Sequence, residues 1–277
     1  MVARSAPSKT VRPRVLVTGF DAFGTDVVNP SWLAALALSI AGFWHAATPG
    51  PLVEPHGRLH AFCHAAPGLW HFMGVTLAAA GSLQWYRDTL APGEPFDALV
   101  REAEEAPAGS EGLLFMPWLN GERSPVEDKV VRGGWLNMSL RTNRAMLVRS
   151  VLEGVALNGR WLFAAYEKFL KQPVPRVRIL GGGAQSDLWC QIYADVLGRP
   201  VEQVGDPRHA QLRGVALWAR IALGELTLDE VPAHVPVAQT FTPSPIDVLT
   251  YNDAYAEYEN LYGTTKGLYH RLNTSLT

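Results

Sequence analysis

Residues 177–180 (VRIL) form a short apolar run that ends in three consecutive glycines, Gly181, Gly182 and Gly183, and an apolar helical pattern starts at Ser186 and runs to Leu197. A run of that length closed by glycines reads as a buried strand. Glycine has no side chain to obstruct a neighbour, and a helix start offers free N–H groups with partial positive charge, so such a corner can lie close to a ligand. A second apolar run, residues 201–204, follows the helix.

The rest of the chain repeats this alternation. Residues 14–18 (RVLVT) read as a buried parallel strand closed by Gly19, and residues 31–41 as a helix with Pro30 or Ser31 at its start. Prolines and glycines mark turns between short strands over residues 43–68, and a helical pattern spans residues 72–90. An acidic helix over 96–105 leads to a strand over 112–118 and a polar loop over 120–134. A long helix over 144–169, capped by Thr142 or Asn143 and stopped by Pro173 and Pro175, repeats Leu147, Val151, Val155, Leu162 and Phe169 at near-helical spacing. Helices over 210–223 and 246–269 follow, the last with a stripe of Tyr251, Tyr255, Tyr258 and Tyr262. Strands alternating with helices argue for an α/β fold.

Composition excludes several function classes. A net charge of −2 gives no reason to expect a nucleic-acid or anionic-membrane partner. No apolar run reaches the roughly 20 residues that span a bilayer. Residues 1–13 carry Arg4, Lys9 and Arg12 among Ser and Pro without an apolar core, which reads as a disordered tail and not a secretory signal. Cys63 and Cys190 lie far apart and form no CxxC motif, so a reducing cytoplasmic setting is expected.

Three stretches then carry a resemblance: residues 60–88 (HAFCHAAPGLWHFMGVTLAAAGSLQWYRD), residues 115–125 (FMPWLNGERSP) with Gly133–Gly134–Trp135, and residues 179–198 (ILGGGAQSDLWCQIYADVLG). In this order they resemble the C-terminal domain of FGGY carbohydrate kinases, those of the xylulokinase kind. The end of residues 144–154 (VLEG) adds to the match. The resemblance covers residues 39–277 and implies an actin-like, ribonuclease-H-like ATPase domain, with ATP and its Mg held between two such domains in intact members. It implies that the Gly181–Gly183 turn packs against adenosine. Gly183 and Asp187 match nucleotide-contact positions, with Gly182, Ala184 and Ser186 beside them, and Ala80 and Gln84 match two more on an earlier helix. Their i, i+4 spacing puts Ala80 and Gln84 on one helix face. Read alone, Gln84 is a solvated helix residue and the glycines a tight packing turn. Arg123 with Glu122 suits a structural ion pair as well as a phosphate contact.

The sequence also departs from that family. The second phosphate loop, a Gly-Thr-Ser-Gly turn in the family, aligns with Ser39, Ile40, Ala41 and Gly42, and the β-branched Ile40 disfavours a tight turn. Asn137 stands where Gly is usual, Met146 where a polar residue is usual, and His209 and Arg213 where an acidic and a small residue are usual. No catalytic residue is assigned: the sugar-binding half and the aspartate base of the family have no counterpart. Phosphoryl transfer depends on such positioning, so nucleotide binding without turnover is the expectation.

Residues 14–38 carry a different resemblance. RVLVTGFDAFGTDVVNPS resembles the start of pyrrolidone-carboxylate peptidases, which use a Cys, His and Glu further along. The readings left open are thus a sugar-kinase remnant, a non-catalytic module that self-associates through the exposed wall of its cleft, and a pyroglutamyl cysteine peptidase fragment with Cys63. His45, His56, His60, Cys63, His64 and His71 cluster in sequence, but no metal site is expected, because the same letters occur in the kinase resemblance without one.

Overall fold

The computed structural model of the 277-residue chain describes residues 15–19, 42–48, 53–64, 70–171 and 173–273, the first two stretches as backbone only. Seven strands form one sheet: β1 Val15–Gly19, β2 Gly42–Thr48, β3 His60–Cys63, β4 Trp70–Thr76, β7 Val177–Gly181, β8 Val201–Val204 and β9 Val237–Phe241, in the order β3-β4-β2-β1-β7-β8-β9. A separate two-stranded ribbon pairs β5 Leu114–Met116 with β6 Gly134–Leu136. The helices are α1 Ala80–Leu90, α2 Phe96–Glu104, α3 Arg144–Leu170, α4 Asp187–Leu197, α5 Ala210–Ala222 and α6 Pro245–Leu272.

β1 runs parallel to β7 and antiparallel to β2, β2 runs antiparallel to β4, and β7 runs parallel to β8. The segment that resembles a peptidase therefore supplies a central strand of this sheet. The expected disordered tail, the helix over 31–41 and Ser39, Ile40 and Ala41 lie outside the described residues, and Gly42 opens β2.

α3 is the spine of the core. Its Asn143 N-cap accepts the N–H of Met146 at 2.9 Å, and its end is a left-handed Lys171 (φ 52°) rather than the prolines alone. Val148, Val151, Leu152, Ala156 and Leu162 are fully buried along it, and α1, α2, α4 and β5 all pack against it. A Cβ at Gly154 would strike the carbonyl oxygen of Phe115, so only glycine lets helix and ribbon approach this closely.

The tyrosine stripe of α6 closes the same core from outside. Tyr251 and Tyr258 are fully buried. The Tyr251 hydroxyl donates to Glu153 Oε1 at 2.8 Å, and Glu153 also takes the N–H of Gly109, the Ser110 hydroxyl and Arg149 Nε. The Tyr258 hydroxyl donates to Asn158 Oδ1 at 3.2 Å, which Trp118 Nε1 shares at 3.1 Å. Buried polar groups are satisfied this way because an unpaired one costs more than the bond gains.

Two expectations need correction. The helix expected over residues 72–90 is a strand up to Thr76 and a helix only from Ala80: Phe72 and Val75 are buried inside the sheet, between β3 and β2. Glu122 and Arg123 do not pair through their side chains; the Glu122 carboxylate accepts the backbone N–H of Arg123 at 2.8 Å, and the Arg123 side chain points to solvent. Asn137, by contrast, explains its own departure from glycine. It adopts φ 68°, the left-handed region that Asn tolerates, and its Nδ2 donates to the Gly112 carbonyl at 3.1 Å.

Candidate functional site

The strand registers draw one line across the sheet. Thr76 at the end of β4 pairs with Gly42, Gly42 with Gly19 at the end of β1, and Gly19 with Gly181 at the end of β7. Three of these four positions are glycine, so no side chain stands on the line at Gly42, Gly19 or Gly181. Ligands of open α/β sheets bind outside the carboxyl ends of the strands. Three strand spacings separate Thr76 from Gly181, about 15 Å.

Both groups of expected site residues rise from this edge. At one end β4 runs into α1, and Glu122 Oε1 accepts the Leu77 N–H at 2.9 Å, which fixes the connection. α1 turns Gly81, Ser82, Leu83 and Tyr86 inward. Ala80 and Gln84 share the opposite, partly exposed face. At the other end β7 runs into the Gly183–Gln185 turn and α4. α1 and α4 both pack against α3, the common spine of the two sets of residues.

The glycine corner is held by distinct forces at each residue. Gly181 has φ +96°, which side chains rarely adopt. Gly182 has φ −59° and ψ −46°, and its carbonyl accepts the N–H of Gln185 at 3.1 Å. A Cβ on Gly183 would meet the Trp189 ring at 3.1 Å. That ring cannot swing away freely, since Trp189 Nε1 donates to the Leu152 carbonyl at 3.0 Å. Gly182 and Gly183 remain partly exposed, so the corner is open to a ligand. Ser186 caps α4 by accepting the Trp189 N–H at 3.1 Å.

Ala184 and Asp187 differ in role. Ala184 is buried, and its carbonyl accepts Gln203 Nε2 at 2.7 Å. Asp187 is exposed, and its Oδ1 accepts the same Gln203 amide at 3.1 Å. Sequence reasoning did not single out Gln203, a buried amide on β8 that ties the turn to its helix. Nor did it find Glu122 as the anchor of α1. Its carboxyl is fully enclosed, and burial pushes its pKa up to about 7 against the opposing pull of the N–H donors of Arg123, Leu77 and Asn158. A Glu in a charged loop gives no sequence signal of burial.

Among the described residues no group of three His, Cys, Asp or Glu side chains is placed to hold a metal ion. Cys63 is exposed on β3, Cys190 is buried under Ala184, and burial pushes its thiol up to about 12. No described helix is long and apolar enough to cross a membrane.

Comparison with known proteins gives a consistent assignment. Residues 41–223 match the family model described as the FGGY family of carbohydrate kinases, C-terminal domain. The xylulose kinase of Bacillus subtilis (strain 168) is 34% identical over 224 residues, covering 79% of this chain and 43% of that protein. A crystal structure of xylulose kinase from Rhodospirillum rubrum superposes with a TM-score of 0.75 at 30% identity, over 94% of this chain and 49% of that one. Plasmodium falciparum glycerol kinase, solved with ADP, shares the fold at 15% identity and a TM-score of 0.69, over 88% of this chain and 46% of that one. The chain thus spans about half the length of the relatives it matches, and its α/β architecture is the actin-like, ribonuclease-H-like domain of these kinases.

Proposed function

The chain belongs to the FGGY family of carbohydrate kinases through their C-terminal domain, and on that premise we propose that its glycine-lined sheet edge binds ATP or ADP, with Mg carried by the nucleotide. Adenosine lies against Gly182 and Gly183, flanked by Asp187 on one side and by Ala80 and Gln84 on the other. The observation that carries this reading is the register line Thr76–Gly42–Gly19–Gly181, which brings both sets of residues to one edge. The Gly181 backbone and the partly exposed Gly182 and Gly183 suit a flat ligand. Bound there, the nucleotide would supply the phosphoryl group for a ketose such as xylulose. The chain spans only about half of its relatives, so we propose that phosphorylation needs a sugar-binding half that this chain does not supply.

Calorimetric titration with ADP tests the binding claim. Saturable heats are expected, and flat heats at high protein concentration would leave ancestry without a present ligand. A coupled assay for ADP release with xylulose tests the second claim, and turnover by the pure chain would refute it.

A second reading, self-association, has its own observation. On α5 the exposed residues are Leu212, Val215, Ala216, Ala219 and Ala222, and with the C-cap Leu223 they form an apolar stripe at helical spacing, Leu212 68% and Leu223 74% exposed. Contiguous exposed apolar surface favours association. Light scattering is expected to give a mass above the monomer, reduced by Leu212→Glu with Leu223→Glu; a clean monomer at all concentrations removes the reading.

A further inference from the structure

Gln203 is an amide at a position where the fold calls for an apolar side chain. It pairs with Ile179 across β7 and β8, and Ile179 and Val201, on the same face of the sheet, are both buried in the core. Gln203 itself is 8% exposed. A buried amide costs free energy unless its polar atoms are bonded. Its nitrogen carries two protons, and both go to the glycine corner: Nε2 donates to the Ala184 carbonyl at 2.7 Å and to Asp187 Oδ1 at 3.1 Å. With both protons committed, the plane of the amide is fixed.

The bond to Ala184 holds the turn, but the bond to Asp187 answers no structural demand of α4. That helix already has its cap in Ser186, which accepts the Trp189 N–H at 3.1 Å. Asp187 is exposed, and an exposed side chain ordinarily keeps its rotamer freedom. Here one carboxylate oxygen is tethered to a buried donor on the sheet, so the group is held in place before any ligand arrives. Among the described residues no other donor reaches it, which leaves the second oxygen open. A carboxylate accepts hydrogen bonds and cannot donate them, and its negative charge repels phosphate. What it can receive from a nucleotide is therefore a donor on the nucleoside part, the exocyclic amine of the base or a ribose hydroxyl.

We propose that Gln203 is a positioning residue that holds Asp187 as a fixed hydrogen-bond acceptor for the nucleoside, and so makes the glycine corner selective among nucleotides. This role rests on the nucleotide reading of the corner and adds to it which part of the ligand Asp187 receives.

The test is calorimetric titration of the full chain with three ligands: ADP, inosine diphosphate, which has a carbonyl in place of the exocyclic amine, and 2′-deoxyadenosine diphosphate, which lacks one ribose hydroxyl. The proteins are the wild type, Asp187→Ala and Gln203→Leu. The wild type is expected to bind ADP about tenfold tighter than one of the two analogues, the size of one hydrogen bond to a charged acceptor, and the weaker analogue identifies the donor. Both variants are expected to bind ADP and that analogue about equally. This ratio separates positioning from folding, because a partly unfolded variant weakens both nucleotides by the same factor. Asp187→Ala changes an exposed side chain, and Gln203→Leu leaves the Ala184 carbonyl the Cys190 thiol, whose Sγ lies 3.6 Å away. ADP binding by the wild type without preference over either analogue, or a preference that survives Asp187→Ala, overturns the role of Asp187 and keeps the nucleotide reading. A preference lost in Asp187→Ala but kept in Gln203→Leu overturns positioning by Gln203. Flat heats with ADP in the wild type sink the nucleotide reading and this role together.

Discussion

The carboxylate of Glu122 accepts the backbone N–H of Leu77 at 2.9 Å across 45 positions of sequence, and so pins the start of α1 to a loop that sequence alone reads as solvent-exposed. Its second oxygen accepts Asn158 Nδ2 at 2.7 Å, and Asn158 in turn reaches Trp118 and Tyr258. One acid thus couples the candidate site to the α3–α6 core.

The first prediction concerns pH. Burial raises the folded pKa of Glu122 to about 7 from an ordinary value of 4.5. Below 4.5 the group is protonated in both states and its contribution is fully present. Between 4.5 and 7 the unfolded chain ionises while the folded one holds its proton, so stability falls as pH rises, by on the order of 3 kcal/mol. Urea unfolding from pH 4.5 to 7.5 should show this slope, and Glu122→Gln should flatten it. The amide also sets its own N–H₂ against Asn158 Nδ2, so the variant is expected to be about 1–3 kcal/mol less stable at pH 5. An unchanged slope in the variant would assign the pH dependence elsewhere.

Gly154 gives the second. A methyl there meets the Phe115 carbonyl, on β5. Neither partner yields easily, since α3 is the central helix and Phe115 is fully buried. Gly154→Ala is therefore expected to lower stability by about 2 kcal/mol or more despite alanine's better helix propensity. A urea midpoint at or above the wild-type value would show that ribbon and helix are not in contact as described.

The third compares two tyrosines on α6. Tyr251→Phe removes a donor from Glu153, a buried carboxyl, whereas Tyr258→Phe removes one from the neutral Asn158 amide, which keeps Trp118. Bonds to charged groups are worth about 1.5–3 kcal/mol and neutral ones about 0.5–1.5. Denaturant unfolding should rank Tyr251→Phe as the more damaging, and the reverse ranking would mean that Glu153 is held by Arg149 and Ser110 without help.

What the sequence disclosed follows from how each signal arises. The strand, glycine corner and helix around residues 177–197 were legible because glycine, cap and apolar run act locally. So was α3, whose period and Asn143 cap leave little choice. Residues 72–76 were misread because a short apolar run fits strand and helix alike, and only the neighbours β2 and β3 decide it. β9 was missed because four of its five residues are exposed, so it lacks the apolar alternation that marks a strand. Of the site, Gly182, Gly183, Asp187, Ala80 and Gln84 were named, but their common edge depends on the pairing of Gly42, Gly19 and Gly181, which lie far apart in sequence.

The last prediction separates ligand approach from folding at the glycine corner. Three adjacent glycines are there for three physical reasons, and alanine at each should fail differently. Gly181 has φ +96°, so Gly181→Ala strains the backbone by about 1–3 kcal/mol and lowers the melting temperature. Gly183→Ala presses its methyl on the Trp189 ring at 3.1 Å, with that ring tethered to Leu152, and is expected to destabilise through packing. Gly182 sits at φ −59° and ψ −46°, a backbone conformation that alanine adopts without strain, so Gly182→Ala should melt close to the wild type. Gly182 is partly exposed, and with adenosine held against it the ADP affinity of Gly182→Ala is expected to drop by about tenfold, the cost of one misfitted contact at a flat ligand. Melting curves and ADP titration on the same three preparations check this. Wild-type ADP affinity in Gly182→Ala would place the nucleotide away from this corner, because no backbone strain is available to mask the result.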